Sequence, residues 1–339
     1  MSDQMTRITL ARRPEGTPVP EDFGLETGPL PEVADGEMLV AVEVFSLDPY
    51  MRGRMNAVKS YAAATEIGDT MTAQGVGRVL VSKAEGFAEG DMVMGTTGWA
   101  SHAVLKATEA LKWDNGLPPS TALGVLGMPG FTAWTGLREY GRPKAGETLV
   151  IAAATGPVGA MVGQLAKAAG LRTVAVAGGA DKCALAREKF GFDAAVDHRA
   201  YDDASSLRKA LAEACPDGVD IYWENVGGKV LEAVIPLMND HGRVPICGTI
   251  AWYSGVDGDT DRLPMVWRSM LTKRLSVNGF IIFDHWGGYR DFLTEVAPKV
   301  ASGEITYLED VTEGLENAPE AFISMLSGGN MGKTLVRLA

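Results

Sequence analysis

From residue 1 to about 125, apolar and polar positions alternate over short runs bounded by Gly and Pro, as in "EMLVAVEVFSL" (37 to 47) and "AQGVGRVLVS" (73 to 82). A period of two predicts β-strands joined by turns. From about residue 147 the pattern changes. Short apolar runs ("TLVIAA", "TVAVAG", "AAVDH", "VDIYWEN") alternate with stretches of helical spacing ("PVGAMVGQLAKAAG", "ADKCALAREKFG", "SSLRKALAEACP"). That alternation predicts βαβ units and a parallel sheet. "GRVPICG" (242 to 248) and "LSVNGFII" (275 to 282), separated by a helical stretch, supply two more strands, which suits a six-stranded doubly wound sheet. The tail from "ITYLEDV" onward alternates again and is expected to return to the first domain. The expected fold class is α/β: a mostly-β domain over 1–126 and 298–339, and a doubly wound parallel-sheet domain over 127–297.

Composition narrows the functional classes. A chain of 339 residues exceeds one ordinary core and suits two domains, and its 46% hydrophobic and 22% charged content is that of a globular protein. Lys and Arg total 31 against 43 Asp and Glu, a net charge of -12 that repels phosphate backbones and anionic lipid, so neither nucleic acid nor membrane is expected as a partner. No segment offers the roughly 18 consecutive apolar residues of a membrane span, and the N-terminus lacks an apolar run of signal-peptide type. Cys183, Cys215 and Cys247 are odd in number and widely spaced, which fits a reducing cytoplasm.

The candidate chemistry begins at "AAATGPVGAMVGQ" (152 to 164), between an apolar run and a helix with apolar positions at Val158, Met161, Val162, Leu165 and Ala169. Gly156 and Gly159, with Pro157 and Val158 between them, would let backbone approach a pyrophosphate at a helix N-terminus. Ala154 stands where the usual pattern has its first glycine, which a slightly wider turn tolerates. Equally, these glycines would serve a plain βα turn. The second strand, "TVAVAG", ends without the carboxylate that binds a ribose 2'-hydroxyl, and Lys182 follows one turn into a helix. That favours a 2'-phosphate and hence NADPH, although Lys182 beside Asp181 also suits an ordinary solvated helix face. Asn225 and Gly227, at the end of "VDIYWEN", and Cys247 and Gly248, after "GRVPI", lie at the carboxyl ends of predicted parallel strands, where ligands bind in open sheets. Trp252, Trp267, Phe283, His285 and Trp286 suggest an aromatic-lined cavity, or core, or a dimer contact, and the loops 54–70 and 252–268 are its expected walls.

With "DPYMRGRM" (48 to 55), "GMPGFTAW" (127 to 134), "GGADKC" (178 to 183), "ENVGG" (224 to 228), "ICGTIAWYS" (246 to 254) and "GNMGKTLV" (329 to 336), the chain resembles the zinc-independent branch of the medium-chain dehydrogenase/reductase superfamily. Within it, the likeness is to prostaglandin reductases, plant alkenal double-bond reductases and bacterial curcumin reductases. The resemblance implies a GroES-like catalytic domain, a Rossmann domain, a homodimer, and NADPH-dependent reduction of an enone or enal in a cleft between domains. It implies that Tyr253 lies near the nicotinamide ribose and the substrate carbonyl, with Tyr50 lining the site. Gly179, Lys182, Cys247, Gly248, Asn330 and Lys333 are implied to lie near the cofactor. Where many relatives carry a "DYK"-like triplet this chain has "DHR" (197 to 199), so His198 and Arg199 become candidate phosphate contacts, a protonated His198 adding positive charge. The rival readings are a quinone oxidoreductase of the same superfamily and a non-catalytic NADPH-binding protein.

No catalytic zinc is expected. Such a site needs three ligands from Cys, His, Asp or Glu, and before residue 183 there is no cysteine and one histidine, His102. Carbonyl polarisation must then come from hydrogen bonds.

Overall fold

The computed structural model of the chain describes residues 4–58, 60, 62–255 and 263–338. They divide into two compact units, Met1–Gly127 with Glu309–Ala339, and Met128–Leu308.

In the first unit the long strand Glu37–Ser46 pairs antiparallel with Gln74–Ser82, His102–Lys106 and Lys333–Arg337. Its register shifts between Leu39 and Val40 and again between Val42 and Val44, so one strand serves two clusters. Met38 and Val40 pack with Val79, Val93 and Leu105. Val42 and Phe45 join Trp99, Phe322 and Leu10. Glu309–Glu313 lies parallel to Lys333–Arg337 at the edge of the sheet.

The second boundary falls after Leu308, beyond the residue 297 expected from the pattern. Helix Tyr289–Ala301 runs on through Pro298 and buries Phe292, Val296 and Val300. The segment after it is held by Gln164, whose amide oxygen accepts the Thr306 N–H at 2.8 Å.

The second unit carries a six-stranded sheet, every neighbour parallel. Its spatial order is Ala194–Asp197, Arg172–Ala177, Thr148–Ala152, Val219–Trp223, Met238–Ile246, Ser276–Gly279. In chain order this is 3-2-1-4-5-6, the doubly wound arrangement, and the winding reverses between the first strand and the fourth. The inner strands Thr148–Ala152 and Arg172–Ala177 read as nearly continuous apolar runs because both of their faces are covered: Leu149, Val150, Ile151 and Ala152 are all buried, as are Val174, Ala175 and Val176. Helix Pro157–Ala168 buries Gly159, Ala160, Met161, Val162, Gly163 and Ala166, a smaller-residue face than the expected one. Leu165 is half-buried and Ala169 exposed. Close approach explains the choice, since a Cβ on Gly163 would stand 2.1 Å from the Phe192 ring. Among the described residues no helix is long and apolar enough to cross a membrane.

Candidate active site

The turn after Thr148–Ala152 places Ala153, one residue before the departure noted in the sequence, in the left-handed region (φ 53°). An L-residue there costs roughly 1–2 kcal/mol. Ala154 N–H donates to the Val176 carbonyl at 3.2 Å and ties the turn to the adjacent strand. The two glycines that follow do different work. A Cβ on Gly159 would lie 2.4 Å from Ala153 O and 2.8 Å from Ala154 Cα, so only glycine lets the helix close on the turn. A Cβ on Gly156 would meet Ala153 O alone, at an ordinary 3.4 Å. The fold does not demand glycine at Gly156, whereas backbone approach by an anion does. Gly156 is the N-cap, Pro157 follows at the first helical position, and no side chain caps the helix. This cradle fits a pyrophosphate on the backbone N–H groups of Val158 and Gly159.

The second strand ends at Gly178 and Gly179, the latter with φ 99°. Gly179 N–H and Arg199 N–H both donate to Asp197 Oδ1, at 2.8 and 2.9 Å. Burial works against the Asp197 charge, but these two N–H groups and the neighbouring cations outweigh it and hold the carboxyl below its ordinary range. A Cβ on Gly178 would stand 2.8 Å from Arg199 Nε and 3.1 Å from His198 Nε2, so both basic side chains lie across this backbone. Lys229 reaches in from helix Gly228–Val234, its ammonium donating to the carbonyls of His198 (2.9 Å) and Tyr201 (2.5 Å). Together with Val226, Gly227 and Ala251 these residues line an open groove of about 500 Å³. Lys182, on helix Ala180–Glu188, adds its charge to the field at His198. A cluster of cations in a chain of net charge -12 fits a phosphate. At His198, burial, then Lys229 and Arg199, hold the imidazole below the ordinary histidine value, which works against a charged ring.

At the other half of the sheet, the segment Glu224–Gly228 is organised by a carboxylate that sequence reasoning passed over. Glu224 is buried, and its Oε1 accepts the N–H groups of Val226 (2.5 Å) and Gly227 (2.8 Å) while Oε2 accepts the Tyr222 hydroxyl at 3.0 Å. Burial raises the Glu224 pKa against these donors. Asn225 bridges the switch point: its amide donates to Ala152 O at 2.8 Å, and its Oδ1 accepts Trp223 Nε1–H at 3.1 Å. Its side chain is thus engaged within the sheet, beside the glycine turn. The Cys247 and Gly248 N–H groups donate to Glu224 O at 2.9 and 3.2 Å, which carries the fifth strand's end to the same place. Burial pushes the Cys247 thiol up to about 12, the state of an inert neutral sulfur. Half-buried Tyr253 sets its hydroxyl over Gly248, where a Cβ would approach the phenol oxygen to 3.2 Å, and the Trp252 ring lies against Gly227.

Tyr50 and Asn330 belong to the first unit. Tyr50 opens the short helix Tyr50–Arg54 and has the Arg54 guanidinium 5.8 Å from its ring centre. Asn330 donates to Gly332 O at 2.8 Å. Lys333 is buried, paired with Asp48 at 2.6 Å and bonded to Leu47 O at 2.8 Å, so it anchors the loop ahead of Tyr50. Of the aromatic residues, Phe283 and Trp286 have ring centres 5.9 Å apart, Trp286 also stacks on Tyr289 at 4.7 Å, His285 pairs with the Tyr140 hydroxyl at 3.0 Å, and Trp267 is 61% exposed. The expected walls at 54–70 and 252–268 lie partly outside the described residues, at 59, 61 and 256–262.

Gly178, Asp197, Glu224 and Lys229 are the site residues the sequence reading missed. The doubled glycines of "GGADKC" and "ENVGGK" were the available signals. Which distant side chain each would meet is set by the third dimension.

A doubly wound sheet with such a turn at its switch point and a basic groove beside it defines a nucleotide-dependent oxidoreductase framework, and similarity to known proteins agrees. Residues 6–113 match the family described as the N-terminal domain of oxidoreductase, and residues 157–298 the one described as zinc-binding dehydrogenase. The chain is 47% identical over 337 residues to the NADPH-dependent curcumin reductase of Escherichia coli (strain K12), covering 98% of this chain and 96% of that protein. It is 40% identical over 313 residues to the NADP(+)-dependent 2-alkenal reductase of Nicotiana tabacum, covering 91% and 90%. Among solved structures, CurA from Vibrio vulnificus in complex with NADPH superposes with a TM-score of 0.93 at 45% identity, covering 98% of this chain and 99% of that one. The chain belongs to the medium-chain dehydrogenase/reductase family, in the group that includes the curcumin, alkenal and prostaglandin reductases. One matched family is described by zinc, yet among the described residues no group of three or more His, Cys, Asp or Glu side chains is placed to hold a metal ion.

Proposed function

We propose that the protein uses NADPH to reduce the carbon–carbon double bond of α,β-unsaturated ketones and aldehydes, without zinc. The observation that carries this reading is the Tyr253 phenol poised over Gly248, at the carboxyl end of the same sheet that holds the glycine turn. The turn at Gly156 to Gly159 receives the pyrophosphate, and Lys182, Arg199 and Lys229 supply the positive field that selects a 2'-phosphate. Asn225 and Glu224 hold the ends of the first, fourth and fifth strands together, which keeps the turn and Tyr253 in one frame. When bound, the nicotinamide supplies a hydride to the β-carbon of the enone. Tyr253 then has two tasks open to a phenol: it donates a hydrogen bond to the carbonyl oxygen as enolate charge develops, or it delivers the proton that the α-carbon gains. The names of the curcumin and 2-alkenal reductases support this choice of substrate. Assignment of Tyr50 to the substrate site and of Asn330 to the cofactor rests on resemblance.

We also infer a homodimer. Ser276–Gly279 is the last strand of the parallel sheet among the described residues, and helix Leu263–Lys273, which packs on Met238–Ile246, exposes Leu271 (78%) and Trp267 (61%). A second copy seated on this helix would cover both residues. Light scattering on the purified protein should give twice the chain mass.

The activity is tested by following NADPH consumption over a panel of enals, enones, curcuminoids and quinones. Turnover of enals and enones supports the reading, turnover of quinones alone selects the quinone oxidoreductase instead, and no turnover with any of them leaves a non-catalytic NADPH-binding protein.

A further inference from the structure

The strand Ala194–Asp197 runs into Asp-His-Arg, and the His198 and Arg199 side chains lie together over the bare backbone of Gly178. His198 is half-buried and faced by cations from three directions: Lys182 on helix Ala180–Glu188, Arg199 next in the chain, and Lys229 on helix Gly228–Val234. Tyr201 and Asp202 stand on the wall of the same groove. Asp197, the carboxylate beside His198, already accepts the N–H groups of Gly179 and Arg199 through Oδ1, and the Lys229 ammonium donates to the His198 carbonyl. Protonation of this imidazole is therefore penalised twice, by partial burial and by like charge, with Asp197 opposing.

We propose that His198 takes up a proton when the 2'-phosphate of NADPH enters this groove, so that cofactor binding is coupled to pH. The inference rests on the NADPH reading above. A phosphate monoester brings about -1.5 to -2 charges and acceptor oxygens, enough to invert the balance that keeps the ring neutral. The protonated imidazole becomes a further charge-assisted donor.

The sign follows from linkage. The His198 pKa is depressed in the free protein and raised by the bound phosphate. Between those two values binding consumes a proton, so NADPH affinity falls as pH rises through that window and is flat on either side of it. The phosphate's own second ionisation, near pH 6, acts in the opposite sense. Its influence is confined to the lower pH range, so the His198 contribution is read from about pH 6.5 upward.

The test is isothermal titration of NADPH, and separately NADH, into the full-length protein, in buffers of different ionisation enthalpy and at several pH values. We expect net proton uptake with NADPH, a dissociation constant that rises by up to about tenfold per pH unit inside the window, and no uptake with NADH. His198→Gln should abolish the uptake. As a readout that needs no variant, imidazole NMR of the wild-type protein should show His198 passing from neutral to charged on addition of NADPH. NADPH binding without proton uptake, or with His198 still neutral in the complex, would overturn the inference and leave the cofactor reading intact. Failure to bind NADPH at any pH would overturn both.

Discussion

The phenol oxygen of Tyr253 lies so near Gly248 that a Cβ on this glycine would approach it to 3.2 Å, with the Asn225 carbonyl oxygen 3.4 Å from the same point. A phenol pinned over the end of a parallel strand is placed to serve charge that develops there, and two substitutions separate its chemistry from its position. Tyr253→Phe keeps the ring and removes the donor. It should lower kcat roughly tenfold to a hundredfold, about 1.4 to 2.8 kcal/mol, with NADPH affinity little changed. Gly248→Ala keeps the donor and displaces it, and should lower kcat in the same direction without raising KM for NADPH. Unchanged kcat in Tyr253→Phe, with hydride transfer shown to be rate-limiting, would mean that water or the ribose supplies the hydrogen bond.

The two turn glycines should respond differently to one added methyl group. Gly159→Ala forces a Cβ into the Ala153 carbonyl and the Ala154 backbone, which cannot yield cheaply, so thermal or denaturant unfolding should report a loss of about 1–3 kcal/mol. Gly156→Ala meets Ala153 O at an ordinary distance and should leave stability within about 0.5 kcal/mol of wild type while weakening NADPH binding. Equal destabilisation in both variants would make the motif a plain βα turn.

Much of the parallel-sheet unit was readable in the chain because its strands are covered on both faces. "TLVIAA" and "TVAVAG" run apolar after their opening Thr148 and Thr173, and the helical stretches between such runs call for parallel crossovers. The first unit was harder. Register shifts in Glu37–Ser46 send Met38 and Phe45 into different clusters, and no single period describes such a strand. At the site, the bare turn of Gly156 and the carboxyl ends of the fourth and fifth strands were readable as local signals. The partners of Gly178 and Lys333 were not, since Arg199 and Asp48 reach them only through the folded chain.

Lys182 is proposed to help select between the cofactors. A charge-assisted contact is worth roughly 1.5 to 3 kcal/mol, so Lys182→Ala should lower kcat/KM for NADPH about tenfold to a hundredfold and leave the NADH value nearly unchanged. The ratio of the two is the quantity to measure. Equal losses would assign Lys182 to the fold or the pyrophosphate site; no loss would shift the role to Arg199, His198 and Lys229.

Metal content separates the proposed chemistry from that of the zinc dehydrogenases whose description the second unit matches. The purified protein should contain no stoichiometric zinc by elemental analysis and keep full activity after incubation with a strong chelator. Stoichiometric zinc, or activity lost on chelation and restored by zinc, would contradict the reading.

The central claim is that reduction occurs at the double bond, and the fate of a labelled hydride tests it most directly. With NADPH deuterated at the transferable C4 position and an α,β-unsaturated ketone as substrate, NMR of the product should place deuterium on the β-carbon of a saturated ketone, with a solvent-derived proton at the α-carbon. Deuterium on the carbinol carbon of an allylic alcohol would show carbonyl reduction instead and contradict the account.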